Sequence, residues 1–206
     1  ELKNKNISYL YKIKFKFYFK LIRSFLDVLK QFFISRKYIS KKTSRFIKLC
    51  DQFNIPIISL VDEPGFLIGP EAEKDATILH GTEAVLAAVD SSVPWCSVLI
   101  RKSFGVGSAA HFGPESYVLA WPSSEAGPLP LEGGIAIAFG KEIAQAEDPE
   151  SKRKEIEEKL SKSQSPFPRA EAFSVHEIID PKETRKYLCS WVDKVQTSLL
   201  TKIHNP

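Results

Sequence analysis

The clearest chemistry in the sequence lies in a glycine-containing stretch, RKSFGVGSAAH, at residues 101–111. The apolar run at residues 96–100 predicts a buried strand, and the small residues after Gly105 and Gly107 predict the start of a helix. A strand that passes through Gly-x-Gly into a helix exposes backbone N–H groups at its end. Such amides can hold an anion or stabilise a developing oxyanion, so this stretch can support catalysis without a reactive side chain.

Other interpretations of the same glycines stay open. Both can simply relieve crowding in a tight strand-to-helix turn. The stretch lacks the dinucleotide fingerprint GxGxxG, because Ala110 stands near the third glycine position and no acidic residue follows at the expected spacing. It also lacks the Gly-Lys-Ser/Thr of a phosphate-binding loop.

Two further segments are candidate parts of a site, one at the end of a predicted strand and one before a predicted helix. The first, VDEPGF at residues 61–66, lies where α/β proteins place ligands. Asp62 or Glu63 there could act as a base, or could cap the turn. The second, GPLPLEGG at residues 127–134, fixes the backbone before a helix. It suits a second N–H donor site, a pocket wall or an ordinary helix start.

The histidines and cysteines offer few alternatives. His80 and His111 could be acid–base groups, although hydrogen-bonded structural roles are the usual ones. Cys96 lies within an apolar strand, which predicts a raised pKa and an inert thiol. The three cysteines and four histidines show no metal-ligand spacing, so we predict no metal site. Unpaired cysteines also favour an intracellular location, in the cytoplasm or the mitochondrial matrix.

The elements that must position these segments alternate along the chain, which predicts an α/β fold with parallel strands. Apolar runs predict strands at residues 55–61, 96–100 and 117–121. Periodic patterns predict helices at residues 43–53, 75–90, 132–146, 149–162 and 181–200, and the prolines of residues 163–169 predict a loop.

Residues 1–40 differ in composition from the domain predicted at residues 41–206. They hold ten Lys or Arg against two acidic residues, whereas the remainder holds 19 basic and 23 acidic residues. The alternation of apolar and polar residues predicts a strand at residues 12–19. Residues 21–33 are predicted to form a helix. This atypical basic segment could contact a membrane surface, be an ordinary extension, or be disordered and not native to the fold. The chain begins with Glu1 and contains no methionine, which we interpret as a fragment.

Five blocks of the sequence, taken in order, resemble one known family. They read SRFIKLCDQFNIPIISLVDEPGFLIG, LHGTEAVLAAVDSSVPWCSVLIRKSFGVG, YVLAWPSSEAG, LEGGIAIAFGKEI and AEAFSVHEIIDPKETRKYL. Together they resemble the C-terminal half of the carboxyltransferase (β) subunit of biotin-dependent acyl-CoA carboxylases, the propionyl-CoA and methylcrotonyl-CoA type. The resemblance implies a crotonase/ClpP-like superhelix of ββα units, of which this chain supplies one half-domain.

The resemblance also implies an activity, a cofactor and partners. The family moves CO2 from carboxybiotin to the α-carbon of an acyl-CoA, and biotin arrives on a separate carrier. Implied partners are a biotin carboxylase or biotin carrier subunit and a second carboxyltransferase subunit or half-domain, within a homo-oligomer and without nucleic acid. The implied oxyanion donors are the amides of Val106 and Gly107. The implied biotin and substrate pocket comprises Pro64, Gly65, Phe66, Phe104, Gly105, Ser108, Ala109, Gly133 and Gly134.

This chain departs from the commoner family pattern at the glycine turn. The family text is roughly YGGAY, whereas this chain has FGVGS, so Val106 replaces a glycine. Valine tolerates a positive φ poorly, which predicts strain if Val106 takes that conformation. Two alternatives to a carboxyltransferase stay open. A crotonase-like acyl-CoA hydratase or isomerase would need a positioned pair of acids, for which Glu115 and Glu125 are poor candidates. An inactive half-domain would act only as a binding partner.

Overall fold

Parallel strands form the centre of the fold in the computed structural model, which describes residues 36–204. The strands are β1 (Ile57–Glu63), β2 (Trp95–Phe104), β3 (Tyr117–Ala120), β4 (Glu125–Gly127) and β5 (Glu177–Ile178). The sheet order is β1-β2-β3-β5, and β4 pairs with the far end of β2. The predicted α/β class with parallel pairing is therefore confirmed.

Helices connect and cover these strands. In chain order they are α1 (Arg36–Gln52), α2 (Pro70–Lys74), α3 (Thr77–Val89), α4 (Gly105–Ala109), α5 (Leu131–Ala144), α6 (Pro149–Gln164), α7 (Pro166–Glu171), a 3-10 turn (Pro181–Glu183) and α8 (Thr184–His204). Each helix predicted within residues 36–204 is present with shifted ends. The predicted loop at residues 163–169 is wrong, because α7 occupies most of it. Proline is well tolerated in the first turn of a helix, where its missing N–H has no partner to lose.

The apolar strands are buried on both faces because helices lie on both sides of the sheet. Successive residues of β2 point to opposite faces of the sheet. Trp95 packs into a cluster with α1 and α3, whereas Cys96 packs into a cluster with α8. A third cluster forms around Leu99 and Val118. Because the strands run parallel, their carboxyl ends and the loops after them meet at one edge of the sheet.

The long strand β2 positions the glycine stretch. Its first half pairs with β3, from Cys96 opposite Tyr117 to Leu99 opposite Ala120. Its second half pairs with β4, where Phe104 lies opposite Gly127. Strand β2 therefore continues four residues beyond its predicted end and delivers Gly105 directly to α4. Strand β1 likewise runs to Glu63, with a register shift between Val61 and Glu63. The strand and helix predicted within residues 12–33 lie outside the described residues.

Candidate functional site

Gly105 provides the sharp turn from β2 into α4. Its φ is +62°, in the left-handed region that glycine adopts without strain. Val106 follows inside the helix, and its φ is not positive. The strain predicted for Val106 is therefore absent, because the turn is made one residue earlier. The Val106 side chain is 66% exposed, whereas Gly107 is buried.

The amides of Val106 and Gly107 lie in the first turn of α4. The first N–H groups of any helix have no intrahelical acceptor, so these two are available for another partner. Ser108 stabilises this turn, because its Oγ donates a hydrogen bond to the Gly105 carbonyl at 2.9 Å. The junction thus presents two N–H groups at the end of a buried strand.

The loop after β1 packs directly against this turn. A methyl group built on Gly107 would lie 3.3 Å from both the Phe66 amide nitrogen and the Phe66 Cδ1, and 3.4 Å from the Gly65 carbonyl carbon. One built on Gly65, whose φ is +114°, would lie 3.7 Å from the Phe104 carbonyl oxygen. The sequence-predicted pocket residues Gly65, Phe66, Phe104 and Gly107 are thus brought together, while Pro64 is exposed at the loop's start.

The segment after β4 closes the other side of the turn. A methyl on Gly105 would lie 3.4 Å from the Pro128 carbonyl oxygen. Gly134, at the start of α5, leaves no room for a methyl beside Leu129, where it would approach the Cβ to 2.7 Å. Gly133 has open space around it. Gly134 therefore serves the helix start, and neither glycine has a described contact with α4.

Gln164 was not predicted from the sequence, yet it holds this segment. Its side chain is 5% exposed, and its Nε2 donates a hydrogen bond to the Leu129 carbonyl at 2.9 Å. It also lies against Gly127, since a methyl built there would be 3.4 Å from Gln164 Cγ. Nothing in the sequence distinguishes this glutamine, near the end of a charged helix, as the residue that binds the Leu129 carbonyl.

The two acidic residues at the end of β1 are both held by hydrogen bonds. Asp62 accepts hydrogen bonds from Arg101 Nε at 3.1 Å and from the Lys102 amide at 3.3 Å, and it raises the pKa of Arg101 through that bond and its charge. Glu63 accepts from the Gly65 amide at 2.9 Å. Of the two predicted roles, base or turn cap, this geometry supports the cap for Glu63, whereas Asp62 links the end of β1 to Arg101 and Lys102 of β2.

Comparison with known proteins identifies the fold that carries this site. The model of the carboxyl transferase domain matches residues 37–202. The chain belongs to the carboxyl transferase domain family. The predicted family resemblance is thereby confirmed over four fifths of the chain.

Named relatives of this carboxyl transferase domain act on acyl-CoA substrates. The methylmalonyl-CoA carboxyltransferase 12S subunit of Propionibacterium freudenreichii subsp. shermanii is 36% identical over 79% of this chain and 32% of its own length. The human mitochondrial propionyl-CoA carboxylase beta chain is 36% identical over 75% of this chain and 28% of its own length. The chain thus spans about a third of the length of the curated relatives it matches.

Solved structures give the same family and fold. The transcarboxylase 12S crystal structure, described as a hexamer assembly with methylmalonyl-coenzyme A bound, superimposes with a TM-score of 0.70 at 35% identity over 77% of this chain and 31% of that one. The beta subunit of Pseudomonas aeruginosa geranyl-CoA carboxylase has a TM-score of 0.69 at 23% identity over 76% of this chain and 31% of that one, which shows the shared fold. The predicted crotonase-like class is confirmed by these neighbours.

Within the carboxyl transferase domain, the predicted histidine and cysteine candidates are structural. His111 Nδ1 lies 2.8 Å from Ser59 Oγ, and burial lowers the His111 pKa to about 4. Burial also raises the Cys96 pKa to about 12, in the direction predicted from its place in the apolar strand. His80 faces its helical neighbour Glu83 at 3.2 Å.

The remaining acidic candidates lie on the surface. Glu115 and Glu125 are both exposed, and Glu125 lies in β4 opposite Lys102. Among residues 36–204, no three His, Cys, Asp or Glu side chains gather as metal ligands do. No helix in that range has both the length and the apolar character that crossing a membrane requires.

Proposed function

We propose that this chain forms the biotin-side half of an acyl-CoA carboxyltransferase, which transfers CO2 from carboxybiotin to the α-carbon of an acyl-CoA such as propionyl-CoA or 3-methylcrotonyl-CoA. Membership of the carboxyl transferase domain family and the acyl-CoA names of its relatives support the reaction class. The observation that carries the proposal is the amide pair of Val106 and Gly107 in the first turn of α4, held at the end of a buried strand.

The donor set fits the ureido group of biotin. Two N–H groups suit a neutral urea oxygen, and they gain strength as negative charge develops on it. A nearby free carboxylate would oppose that charge, but Asp62 is bound to Arg101 and Glu63 to the Gly65 amide. The half-buried ring of Phe66 and the buried Phe104 supply apolar walls, which strengthen hydrogen bonds by excluding water.

Biotin, when bound, supplies a carboxylated ring nitrogen and afterwards an anionic ureido group. The chain's own part is to bind, orient and stabilise. Val106 and Gly107 would donate to the ureido oxygen, and the loop from Pro64 to Phe66 would line one side of the ring. Ser108 and Ala109 continue along α4, and Gly133 and Gly134 begin the helix behind the Pro128 segment. Loss of one oxyanion donor typically lowers kcat by about 10²–10³-fold.

Replacing Val106 by proline tests this role directly. V106P removes the N–H group at a position in the first helical turn, where no intrahelical hydrogen bond is lost. We expect carboxyl transfer to propionyl-CoA to fall about 10²-fold or more in the complete carboxyltransferase, with the fold retained by circular dichroism.

Val106→Ala is the matched control, because it trims the exposed side chain and keeps the amide. It should retain transfer within a few-fold. Equal rates in V106P and the original enzyme, with both folded, would rule out the Val106 amide as a donor.

A further inference from the structure

Phe66 is wedged between two helices, and its fit on one of them leaves no room for a side chain. We propose that Gly81, in the middle of α3, is a positioning residue for the Val106–Gly107 amide pair and acts through the Phe66 ring. The catalytic consequence of this role rests on the proposed function, whereas its geometric consequence does not.

The contact on the α3 side is extremely close. A methyl group built on Gly81 would lie 2.2 Å from Phe66 Cζ, 2.6 Å from Cε1 and 2.8 Å from Cε2. Atoms at those separations would overlap, and all three belong to a rigid ring that can only move as a whole. The outer edge of the Phe66 ring therefore occupies the space that any other residue at position 81 would fill.

The opposite end of Phe66 lies against α4. The Cδ1 and the amide nitrogen of Phe66 would both be 3.3 Å from a methyl on Gly107. One aromatic side chain thus spans from the Gly81 backbone to the Gly107 backbone. The thickness of this contact sets the distance between α3 and the first turn of α4, which carries the candidate donors.

The composition of α3 supports a specific role for this glycine. Alanine, the best helix former, fills the other buried positions after it, at Ala84, Ala87 and Ala88. Glycine is among the least favourable residues in a helix interior, so its presence at position 81 works against the stability of α3 itself. The close approach of the ring supplies a physical reason for it.

The geometric test uses the full 206-residue chain and needs no ligand. In ¹H–¹⁵N correlation spectra, G81A should shift the amide resonances of Val106 and Gly107, because the added methyl displaces the ring toward α4. Gly140→Ala is the matched control, since Gly140 also lies in a helix but has nothing within 4 Å of an added methyl. It should leave both resonances in place.

A double variant isolates the ring as the connecting element. Phe66→Leu removes the ring atoms that meet Gly81, so adding G81A to F66L should shift the two amides much less than G81A does alone. If G81A fails to fold, F66L alone should still shift both resonances. Unchanged Val106 and Gly107 resonances in G81A, or equal G81A shifts in both backgrounds, would overturn the proposal.

Kinetics of the complete carboxyltransferase supply the second readout. A small misplacement of catalytic donors can cost about 10²-fold in rate, so G81A should lower kcat by about tenfold to a hundredfold while the acyl-CoA KM changes less than about twofold. An original enzyme without transfer activity would contradict the proposed function and leave the spectral result intact. Full kcat in a G81A enzyme whose amides have shifted would separate the positioning from catalysis and overturn the catalytic role.

Discussion

Asp62 and Glu63 show how side chains around the candidate donors are used to shape the backbone. Both carboxylates lie at the end of β1, where a base would be placed, yet Asp62 accepts hydrogen bonds from β2 and Glu63 accepts one from the Gly65 amide. The chemistry of the junction is consequently left to main-chain amides. Residue type alone does not distinguish a base from a turn cap, because both roles favour a short acidic side chain after a strand.

His111 makes the stability of the fold sensitive to mild acid. Burial lowers its pKa from 6.5 to about 4, so the unfolded chain binds a proton at a pH where the folded chain does not. The contribution of His111 to the free energy of unfolding is complete above pH 6.5 and falls as the pH drops toward 4. Since one pKa unit corresponds to about 1.4 kcal/mol, the loss should reach up to about 3 kcal/mol.

Urea titrations between pH 7 and pH 4.5 would measure this loss, with His111→Asn as the comparison. Asparagine keeps a polar atom near Ser59 but does not titrate. The variant should lose less unfolding free energy across the interval than the original chain. Parallel curves for the two proteins would mean that His111 is not the group responsible.

The end of α7 holds a strained aromatic residue. Phe173 has a φ of 56° and is 88% exposed, while the Ser174 and Val175 amides both donate to the Arg169 carbonyl. This is the left-handed position that follows many helices and that glycine usually occupies. For a residue with a Cβ, this backbone conformation costs about 1–2 kcal/mol.

Phe173→Gly should therefore stabilise the domain by about 1 kcal/mol, after allowing for the greater freedom of glycine in the unfolded chain. The midpoint of chemical denaturation measures the change. Phe173→Ala removes the same ring but retains the Cβ, and it should give little or no stabilisation. A gain of the same size in both variants would attribute the effect to the exposed ring and not to the backbone.

The elements divide into those that the sequence pattern predicts and those that only packing explains. Strands β1 to β3 are apolar runs, and the long helices are periodic, so their existence was predictable. Strands β4 and β5 have three and two residues, too few to show a period. The second half of β2 carries Arg101 and Lys102, which the apolar run of a buried strand does not include.

The candidate site divides in the same way. Because β1, β2 and β4 run parallel, their following loops had to meet at one edge, and this brought Phe66 to Gly107. Gly81 and Gln164 lie inside helices distant in sequence and carry no reactive group. Their roles arise from close contacts with other segments, which no local pattern encodes.

At the scale of the whole molecule, the proposed function makes the chain one part of a larger catalytic assembly. It spans about a third of the length of its curated relatives, and the acyl-CoA side of the proposed reaction is not assigned to it. We expect the purified chain alone to show no carboxyl transfer. Measuring transfer from carboxybiotin to propionyl-CoA checks this, and clear turnover by the isolated chain would contradict it.

The left-handed turn at Gly105 has a consequence for how this domain can diversify. Since Gly105 makes the turn, the next side chain projects outward and the proposed donors belong to the main chain. Mutations at position 106 can then alter what the exposed side chain meets while every codon except proline still encodes the donor. Position 106 can therefore accept substitutions that favour new substrates or partners, and each intermediate variant keeps the proposed amide donor.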